Sequence, residues 1–427
     1  MVNPVGILQK THRVFRYYLS NIHLFSLNAR LFLVGTFFWG MGFSGFMLLF
    51  NLYLKELGYA ESNIGNIISA TTLGTVLMAI PASILLRRLP IKPLLLMSTP
   101  IAVLSYAIQV TSSQYQIILA GGLIAGLAAA FSRIAAAPFF MRNSTARERP
   151  YLFSVQFALM LLAGIIGNLL GGFSPGLIQR SGMVPYLTYR YTLLIFSGLV
   201  LAAVVPISFI KQKPPLRPAR MKIHSMSMIA KLFVPNLIVG IGAGLSIPFL
   251  NLYFKDYFNT PAYLIGIFYS LQQFLMIAGL LAAPLIAERA GKIKTVVISQ
   301  LISIPFLIIL GTTRNLPLAV LAFLMRAAFM NMAQPLYTNF AMEKVHHEDQ
   351  ALTNALLTVA FTAGWGASAN LGGYLIEHFS YALPFFATSI LYLISTGITY
   401  RLFGRATAAT RTAHTPTTKA HDPAALQ

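Results

Sequence analysis

Long apolar runs alternate with short polar segments along most of the chain. Each run holds about 20 residues, the length that a helix needs to cross a bilayer core of roughly 30 Å. Backbone groups cannot stay unpaired in hydrocarbon, and the runs lack the period-2 alternation of barrel strands, so they predict helices. Twelve spans are predicted, at about 30–54, 63–86, 93–112, 115–141, 151–178, 187–210, 230–255, 262–287, 294–312, 316–342, 351–376 and 381–402.

The composition agrees with a chain that lies in lipid. Of the 427 residues, 56% are hydrophobic and only 10% are charged, whereas about 25% of the residues of a soluble protein are charged. The chain contains no cysteine, which excludes a disulfide framework and thiolate chemistry. We therefore expect an all-α membrane protein.

The net charge of +21 could indicate a nucleic-acid partner, so the placement of the basic residues matters. On the predicted topology, 24 of the 31 Lys and Arg residues fall on the side of both termini, five fall on the other side and two lie inside helices. Basic residues concentrate in cytoplasmic loops. The prediction is a multi-pass protein of the cell (inner or plasma) membrane, with both termini cytoplasmic and no nucleic-acid partner.

One phrase occurs twice, about 200 residues apart. Residues 51–65 read NLYLKELGYAESNIG, and residues 251–266 read NLYFKDYFNTPAYLIG. Six spans, a basic linker and six related spans form a parallel repeat about an axis normal to the membrane. The predicted organisation is an amphipathic cytoplasmic N-terminus, a six-helix bundle, a basic cytoplasmic linker, a second six-helix bundle and a disordered tail, at 1–29, 30–210, 211–229, 230–403 and 404–427.

Short motifs resemble those of the major facilitator superfamily. The turn at 287–294 reads AERAGKIK, close to that superfamily's D-R-x-G-R/K with Glu288 in place of the Asp. In span 5, GIIGNLLGG at 164–172 is similar to its antiporter motif with Asn168 in place of a Pro, whereas LRRLPIK at 86–92 departs from the loop pattern. The resemblance implies twelve transmembrane helices in two pseudo-symmetric six-helix bundles, around a cavity lined mainly by spans 1, 4, 7 and 10.

Two arginines lie inside predicted spans, Arg133 in span 4 and Arg326 near the middle of span 10. A charge inside the membrane costs at least about 2.5–3.5 kcal/mol, so it indicates a functional role by default. None of the ten acidic residues and none of the eight histidines lies in the middle of a span. A guanidinium without an acidic partner favours a carboxylate or phosphate on the ligand. Alternatively, both arginines bond backbone carbonyls at broken helix ends near Pro138 and Pro335.

Other polar or amphipathic residues inside the spans are weaker candidates for substrate contacts. They either contact the ligand or join neighbouring helices through hydrogen bonds. With the two arginines, the predicted substrate-binding set consists of Arg133, Arg326, Trp39, Asn51, Gln272, Gln273, Asn331 and Gln334.

Charged residues on two predicted cytoplasmic turns are candidates for a gate. Glu288 and Arg289 lie on the turn between spans 8 and 9, and by resemblance this turn meets the inner end of span 5. Arg149 begins that end of span 5. We expect Glu288 to pair with Arg149 or Arg147, or to lie at that helix N-terminus, when the inner side is closed.

Motifs for nucleophilic catalysis, phosphate binding or metal binding are missing from the sequence, so we expect neither an enzyme nor a cofactor or metal. The predicted function is a secondary active or facilitative transporter that moves a small organic anion or zwitterion by alternating access. Two alternatives stay open: a multidrug or proton-type efflux transporter of amphipathic compounds, and a transporter-like sensor that binds ligand without moving it. The predicted partners of this monomer are a small-molecule substrate, the lipid bilayer and a coupling ion or counter-anion.

Overall fold

The computed structural model describes residues 25–145, 148–180, 182–211 and 224–404, apart from the side chains at positions 87 and 150. In these ranges the regular structure is helical and contains no strand. Most of the predicted N-terminal segment, the centre of the predicted linker, Arg147 of the predicted gate and the tail beyond Gly404 lie outside the described residues.

Twelve long helices follow one another at the positions of the twelve predicted spans, which confirms the predicted all-α class. Short turns connect most of them, and the helices on either side of such a turn run in opposite directions. The helices are α1 (Leu27–Glu56), α2 (Glu61–Arg88), α3 (Ile91–Thr111), α4 (Tyr115–Ile134), α5 (Arg149–Gln179), α6 (Pro185–Ala202), α7 (Met226–Ser246), α8 (Ala262–Ala290), α9 (Lys292–Thr312), α10 (Leu316–Lys344), α11 (Gln350–His378) and α12 (Ala382–Phe403).

Eleven of these helices, some taken with a short helix that continues them, are long and apolar enough to cross a membrane. The exception in the described chain is α11, which is long enough but richer in small and polar residues. This helix packs between α2 and α7. A Cβ on Gly366 would lie 2.6 Å from the side chain of Thr72, and one on Gly364 would lie 2.6 Å from the backbone oxygen of Leu237. Close packing thus explains its small residues.

The same packing pattern occurs in both halves of the chain. In the first half, α1 packs against α5 and α6, while α4 packs against α2 and α3. In the second half, α7 packs against α11 and α12, while α10 packs against α8 and α9. The largest contacts between the halves are α2 with α11 and α5 with α8, and these two contacts are equivalent under the repeat. The structure therefore has the predicted two pseudo-symmetric six-helix bundles.

Two helices predicted as continuous are interrupted. The predicted span 4 breaks at Ala135 and continues as the short helix Ala136–Asn143, because Pro138 has no N–H to donate to the preceding turn. The predicted span 7 changes after Ser246 to the 3-10 turn Ile247–Phe249, the short helix Leu250–Leu252 and the π-helical turn Tyr253–Tyr257. Pro248 lies in this interruption, whereas the equivalent part of α1 is continuous helix.

Both ends of the described chain lie on one side, which we call the terminal side; the opposite side carries the turns at 57–60 and 258–261. Near the opposite side, buried apolar residues of both bundles form one shared core, which includes Phe46, Tyr53, Phe254 and Phe323. Toward the terminal side, each bundle has a core of its own. The bundles are therefore joined on the opposite side and separate on the terminal side.

Candidate functional site

A cavity of about 140 Å³ lies inside the first bundle, between α1, α3, α4, α5 and the end of α6. Its wall combines aromatic and aliphatic side chains with hydroxyl, amide and guanidinium groups. The residues that line it are Phe32, Gly35, Thr36, Trp39, Leu95, Thr99, Ser132, Arg133, Gln156, Met160, Ala203 and Ile207. This is the composition of a small-molecule pocket, in which a few polar groups orient a ligand among apolar walls.

Arg133 places a positive charge beside an aromatic stack in this cavity. Its guanidinium carbon lies 5.8 Å from the ring centre of Phe43, close enough for a cation–π contact. Phe43 stacks on Trp39 with ring centres 4.9 Å apart and an angle of 12° between the planes. Across the described ranges, Arg133 has no hydrogen-bond or ion-pair partner, and its side chain is exposed. The wall thus presents an uncompensated cation next to two stacked rings.

Arg326 lies in a different environment. Its side chain is only 3% exposed, and Tyr269 of α8 and Tyr392 of α12 lie near its guanidinium, with Tyr392 the nearer hydrogen-bonding group. Its Nε has no hydrogen-bond partner. Arg326 does not line the cavity beside Arg133. In the described residues, neither arginine donates to a backbone carbonyl near Pro138 or Pro335.

The two arginines are separated by depth as well as by bundle. Arg133 lies 18 residues after the first residue of α4, whereas Arg326 lies 10 residues after the first residue of α10. At the rise of an α-helix, this difference of eight residues places Arg133 about 12 Å nearer to the terminal side. The predicted pair therefore occupies equivalent helices but not equivalent positions.

Of the other predicted substrate contacts, Trp39 lines the cavity and the rest lie elsewhere. Gln273 lies at the contact between α5 and α8, 3.0 Å from where a Cβ on Gly164 would be, and its Oε1 has no hydrogen-bond partner. Asn331 donates to the carbonyl of Ala327 in its own helix at 2.8 Å. Gln272 is half-buried and Gln334 is exposed.

Asn51, the remaining candidate, takes part in a reciprocal contact between the bundles. Its Nδ2 donates to the carbonyl of Pro248 at 2.8 Å and to Oδ1 of Asn251 at 3.3 Å. Nδ2 of Asn251 in turn donates to the carbonyl of Leu48 at 2.8 Å. The repeated phrase thus brings its two copies together on the opposite side.

Crossed ion pairs extend the same contact. Lys55 of the first copy lies 3.9 Å from Asp256 of the second, and Lys255 of the second lies 3.5 Å from Glu56 of the first. Lys55 also pairs with Glu61 at 2.5 Å. We call the set Asn51, Lys55, Glu56, Asn251, Lys255 and Asp256 the latch. Because its members are reciprocal, the latch lies on the pseudo-twofold axis.

The predicted gate residues lie apart on the terminal side. Glu288 and Arg289 are exposed near the end of α8. Arg149 donates instead to the carbonyls of Met141 at 3.2 Å and Ser144 at 3.4 Å within its own bundle. The bundles are separate on this side. The pair between Glu288 and Arg149, which we expect only when the inner side is closed, therefore does not form here. The pairing of Glu288 with Arg149 stays a prediction.

Sequence reasoning left several cavity residues out of the predicted set. Thr36, Thr99 and Ser132 are single hydroxyls in apolar runs, which cannot be told from helix-packing residues without the fold. Gln156 has the same ambiguity. Phe43 does not line the cavity but supports Trp39 and Arg133 from behind; it has no polar group, although its place four residues after Trp39 puts both rings on one face of α1.

Comparisons with known proteins agree with this architecture. The profile of the family described as Major Facilitator Superfamily matches residues 32–226 and again 232–426. Among solved structures, the nucleoside transporter NupG is 13% identical, with 88% of this chain and 99% of that chain covered and a TM-score of 0.71. A D-xylose–proton symporter is 13% identical, with 87% of this chain and 96% of that chain covered and a TM-score of 0.71. The human organic anion transporter MFSD10 (TETRAN) is 16% identical, with 87% of this chain and 99% of that chain covered and a TM-score of 0.60. No curated protein matches the sequence significantly.

Proposed function

The chain belongs to the Major Facilitator Superfamily, and from that premise we propose that it carries a small organic anion through the cavity beside Arg133. Its family and its structural relatives support a membrane transporter with a small-molecule substrate rather than an enzyme. One observation carries the choice of an anion: in the described residues, the exposed guanidinium of Arg133 has no acidic partner. A carboxylate or phosphate of the ligand would supply that partner.

The rest of the cavity suits a small anion with an apolar body. A planar carboxylate can accept two parallel hydrogen bonds from a guanidinium. The hydroxyls of Thr36 and Ser132 and the amide of Gln156 offer further polar contacts, while Trp39 offers an aromatic face. At about 140 Å³ the cavity limits the ligand to a small molecule or to one end of a larger one.

Efflux of amphipathic compounds is the second candidate. Trp39, Phe32 and Met160 form an apolar wall that would suit such molecules. A cationic substrate, however, would be repelled by Arg133, since none of the described residues that line the cavity is acidic. The first candidate requires an anionic substrate, whereas the efflux candidate would take cationic or neutral amphipathic compounds, so the charge of the substrate separates the two.

Alternating access would then use the two sides of the molecule in turn. We place the terminal side in the cytoplasm of a cell-membrane monomer, in line with the basic residues on that side. The structure is closed at the latch, so ligand would reach Arg133 from the cytoplasm. Opening the outer side would break the pairs Lys55–Asp256 and Lys255–Glu56, while closing the inner side would bring Glu288 to Arg149. Protonation of Asp256 would weaken the latch, which makes a coupling proton one candidate for the coupling ion.

A ligand-class screen tests the proposed function. We expect small aromatic or aliphatic carboxylates to raise the melting temperature of the purified protein and to be taken up by proteoliposomes, while lipophilic cations of similar size do neither. Arg133→Gln should remove the response to anions and leave the protein folded. If cations stabilise the wild type and anions do not, the substrate class is wrong; if no solute moves across the bilayer, the transport function itself fails.

A further inference from the structure

Two histidines and a glutamate from distant parts of the chain meet on the terminal side of the second bundle. His224 precedes α7, whereas His346 and Glu348 lie in the turn between α10 and α11. One ligand atom from each residue can be chosen so that all three lie within 4.8 Å of one another, and all three side chains are exposed. This cluster lies outside the cavity and the latch.

Hydrogen bonds hold the two segments in a fixed relation. The carboxylate of Asp349 accepts the backbone N–H of His224 at 2.9 Å and that of Ser225 at 2.7 Å. The hydroxyl of Ser225 accepts the backbone N–H of His346 at 2.9 Å. Asp349 is only 2% exposed. The backbone atoms that carry the two histidines are therefore positioned by these hydrogen bonds.

Asp349 also lies next to one of the rings, with its Oδ1 4.0 Å from Nδ1 of His224. This distance is too long for a hydrogen bond. The carboxylate therefore acts on the cluster through the backbone that it holds.

The side chains are close to the spacing that a metal ion requires. The rings of His224 and His346 have centres 4.9 Å apart, and Nδ1 of His224 lies 3.9 Å from Oε2 of Glu348. Ligands at about 2.0–2.1 Å around a tetrahedral Zn²⁺ lie roughly 3.3 Å apart. Rotation of exposed side chains can close this difference without movement of the backbone. In the described chain, Glu348 forms no ion pair with a Lys or Arg that would compete.

We propose that His224, His346 and Glu348 form a binding site for a transition-metal ion, with Zn²⁺ as the ion that suits the ligands best. Two imidazole nitrogens and one carboxylate favour zinc, cobalt, nickel or copper over magnesium and calcium, which prefer oxygen ligands. Water would complete a tetrahedral shell. The bound ion would tie the start of α7, where the inter-bundle linker ends, to the turn that precedes α11.

Cobalt spectroscopy on the full-length protein without an affinity tag tests the site. After chelator treatment, Co²⁺ should bind with one ion per chain and give the intense visible absorption of a tetrahedral complex, and Zn²⁺ should displace it. His224→Ala, His346→Ala and Glu348→Gln should each weaken binding at least tenfold. His347→Ala and His378→Ala are matched controls, since both residues are exposed histidines outside the cluster, and both should bind as the wild type does.

Three outcomes would overturn the proposal. The first is no saturable Co²⁺ or Zn²⁺ binding by the wild type, and the second is equal binding by the wild type and the three cluster variants. The third is an octahedral spectrum that the histidine variants do not change, because that would indicate adventitious binding to surface carboxylates only. Melting temperatures without metal should agree among all the variants, so that lost binding is not mistaken for unfolding.

Discussion

The two intramembrane arginines lie on equivalent helices, yet they differ in almost every physical respect. Arg133 is exposed beside a cavity, has no acidic partner in the described residues and lies next to the stacked rings of Phe43 and Trp39. Arg326 is 3% exposed and lies near two tyrosines in the second bundle. The difference in depth, about 12 Å, explains the difference in access. Equivalent helices therefore do not imply equivalent roles.

The repeated segments at 51–65 and 251–266, in contrast, contain residues that are equivalent in both sequence and structure. Asn51 and Asn251 occupy equivalent positions, contact each other and are flanked by crossed ion pairs. Where the two halves share residues, the structure uses them symmetrically to hold the bundles together. Where the halves differ, as in α4 and α10, the structure has a one-sided cavity. We infer that the residues repeated in both halves control the opening and closing of the two sides. The residues found in one half only, such as Arg133, bind the ligand.

Substitution of Arg133 should have the largest effect, which is a loss of anion affinity. A charged hydrogen bond contributes about 2 kcal/mol, which corresponds to roughly 30-fold in affinity, so Arg133→Gln should weaken anion binding at least that much in calorimetry. Arg133→Lys should retain part of the affinity, because it keeps the charge but loses the planar fork. Wild-type affinity in Arg133→Gln would show that the asymmetry between the two arginines has no bearing on binding.

A substitution at the contact between α5 and α8 tests whether the contacts that are repeated in both halves hold the opposite side closed. A Cβ on Gly172 would lie 2.9 Å from Cα of Gly266, so Gly172→Val should disfavour closure of the opposite side by about 1–3 kcal/mol. In this cysteine-free chain, labelling of a cysteine introduced at Ser270 should then increase about tenfold. Gly176→Val is the control, because nothing lies within 4 Å of a Cβ there; equal labelling in both variants would refute the role of this contact.

Arg326→Gln should affect stability rather than binding. Its removal leaves Tyr269 and Tyr392 without the guanidinium, at a cost of about 1–3 kcal/mol for buried polar groups. The melting temperature should therefore fall by several degrees, while anion affinity stays within threefold of the wild type. If Arg326→Gln loses anion binding as fully as Arg133→Gln and still melts normally, both arginines contact the ligand, as the sequence alone suggested.

Glu288→Gln should have the smallest effect. Loss of a surface pair with Arg149 in the inner-closed form costs about 0.5 kcal/mol, so labelling of a cysteine placed at Gln156 should rise about twofold. Glu343→Gln serves as the control, since Glu343 pairs with Lys292 within the second bundle. Unchanged labelling in Glu288→Gln would remove Glu288 from the gate.

Much of this architecture could be predicted from the sequence, because its physical causes are local. Apolar length specified the twelve spans, and the repeat at 51–65 and 251–266 indicated two related bundles. The break after Ser246 was not predicted, and the break at Ala135 was considered only in the alternative with broken helix ends near Pro138, because a proline can either bend a helix or interrupt it. The cavity was predicted only in part. Arg133 and Trp39 are residue types that are unusual inside a membrane span, whereas Thr36 and Ser132 can be recognised as cavity residues only once the fold shows their neighbours. The histidine and glutamate cluster joins segments about 120 residues apart, and no spacing in the sequence could indicate it.

The central claim is that an anionic ligand binds beside Arg133 in the first bundle. The chain has two tryptophans, Trp39 in the cavity wall and Trp365 in α11, so Trp365→Phe leaves a single fluorescent reporter 4.9 Å from Phe43. We predict that transported anions change the fluorescence of Trp39 saturably, and that Arg133→Gln in this background abolishes the change while Arg326→Gln preserves it. Transport of the anion without any change at Trp39, or an undiminished change in Arg133→Gln, would contradict the account.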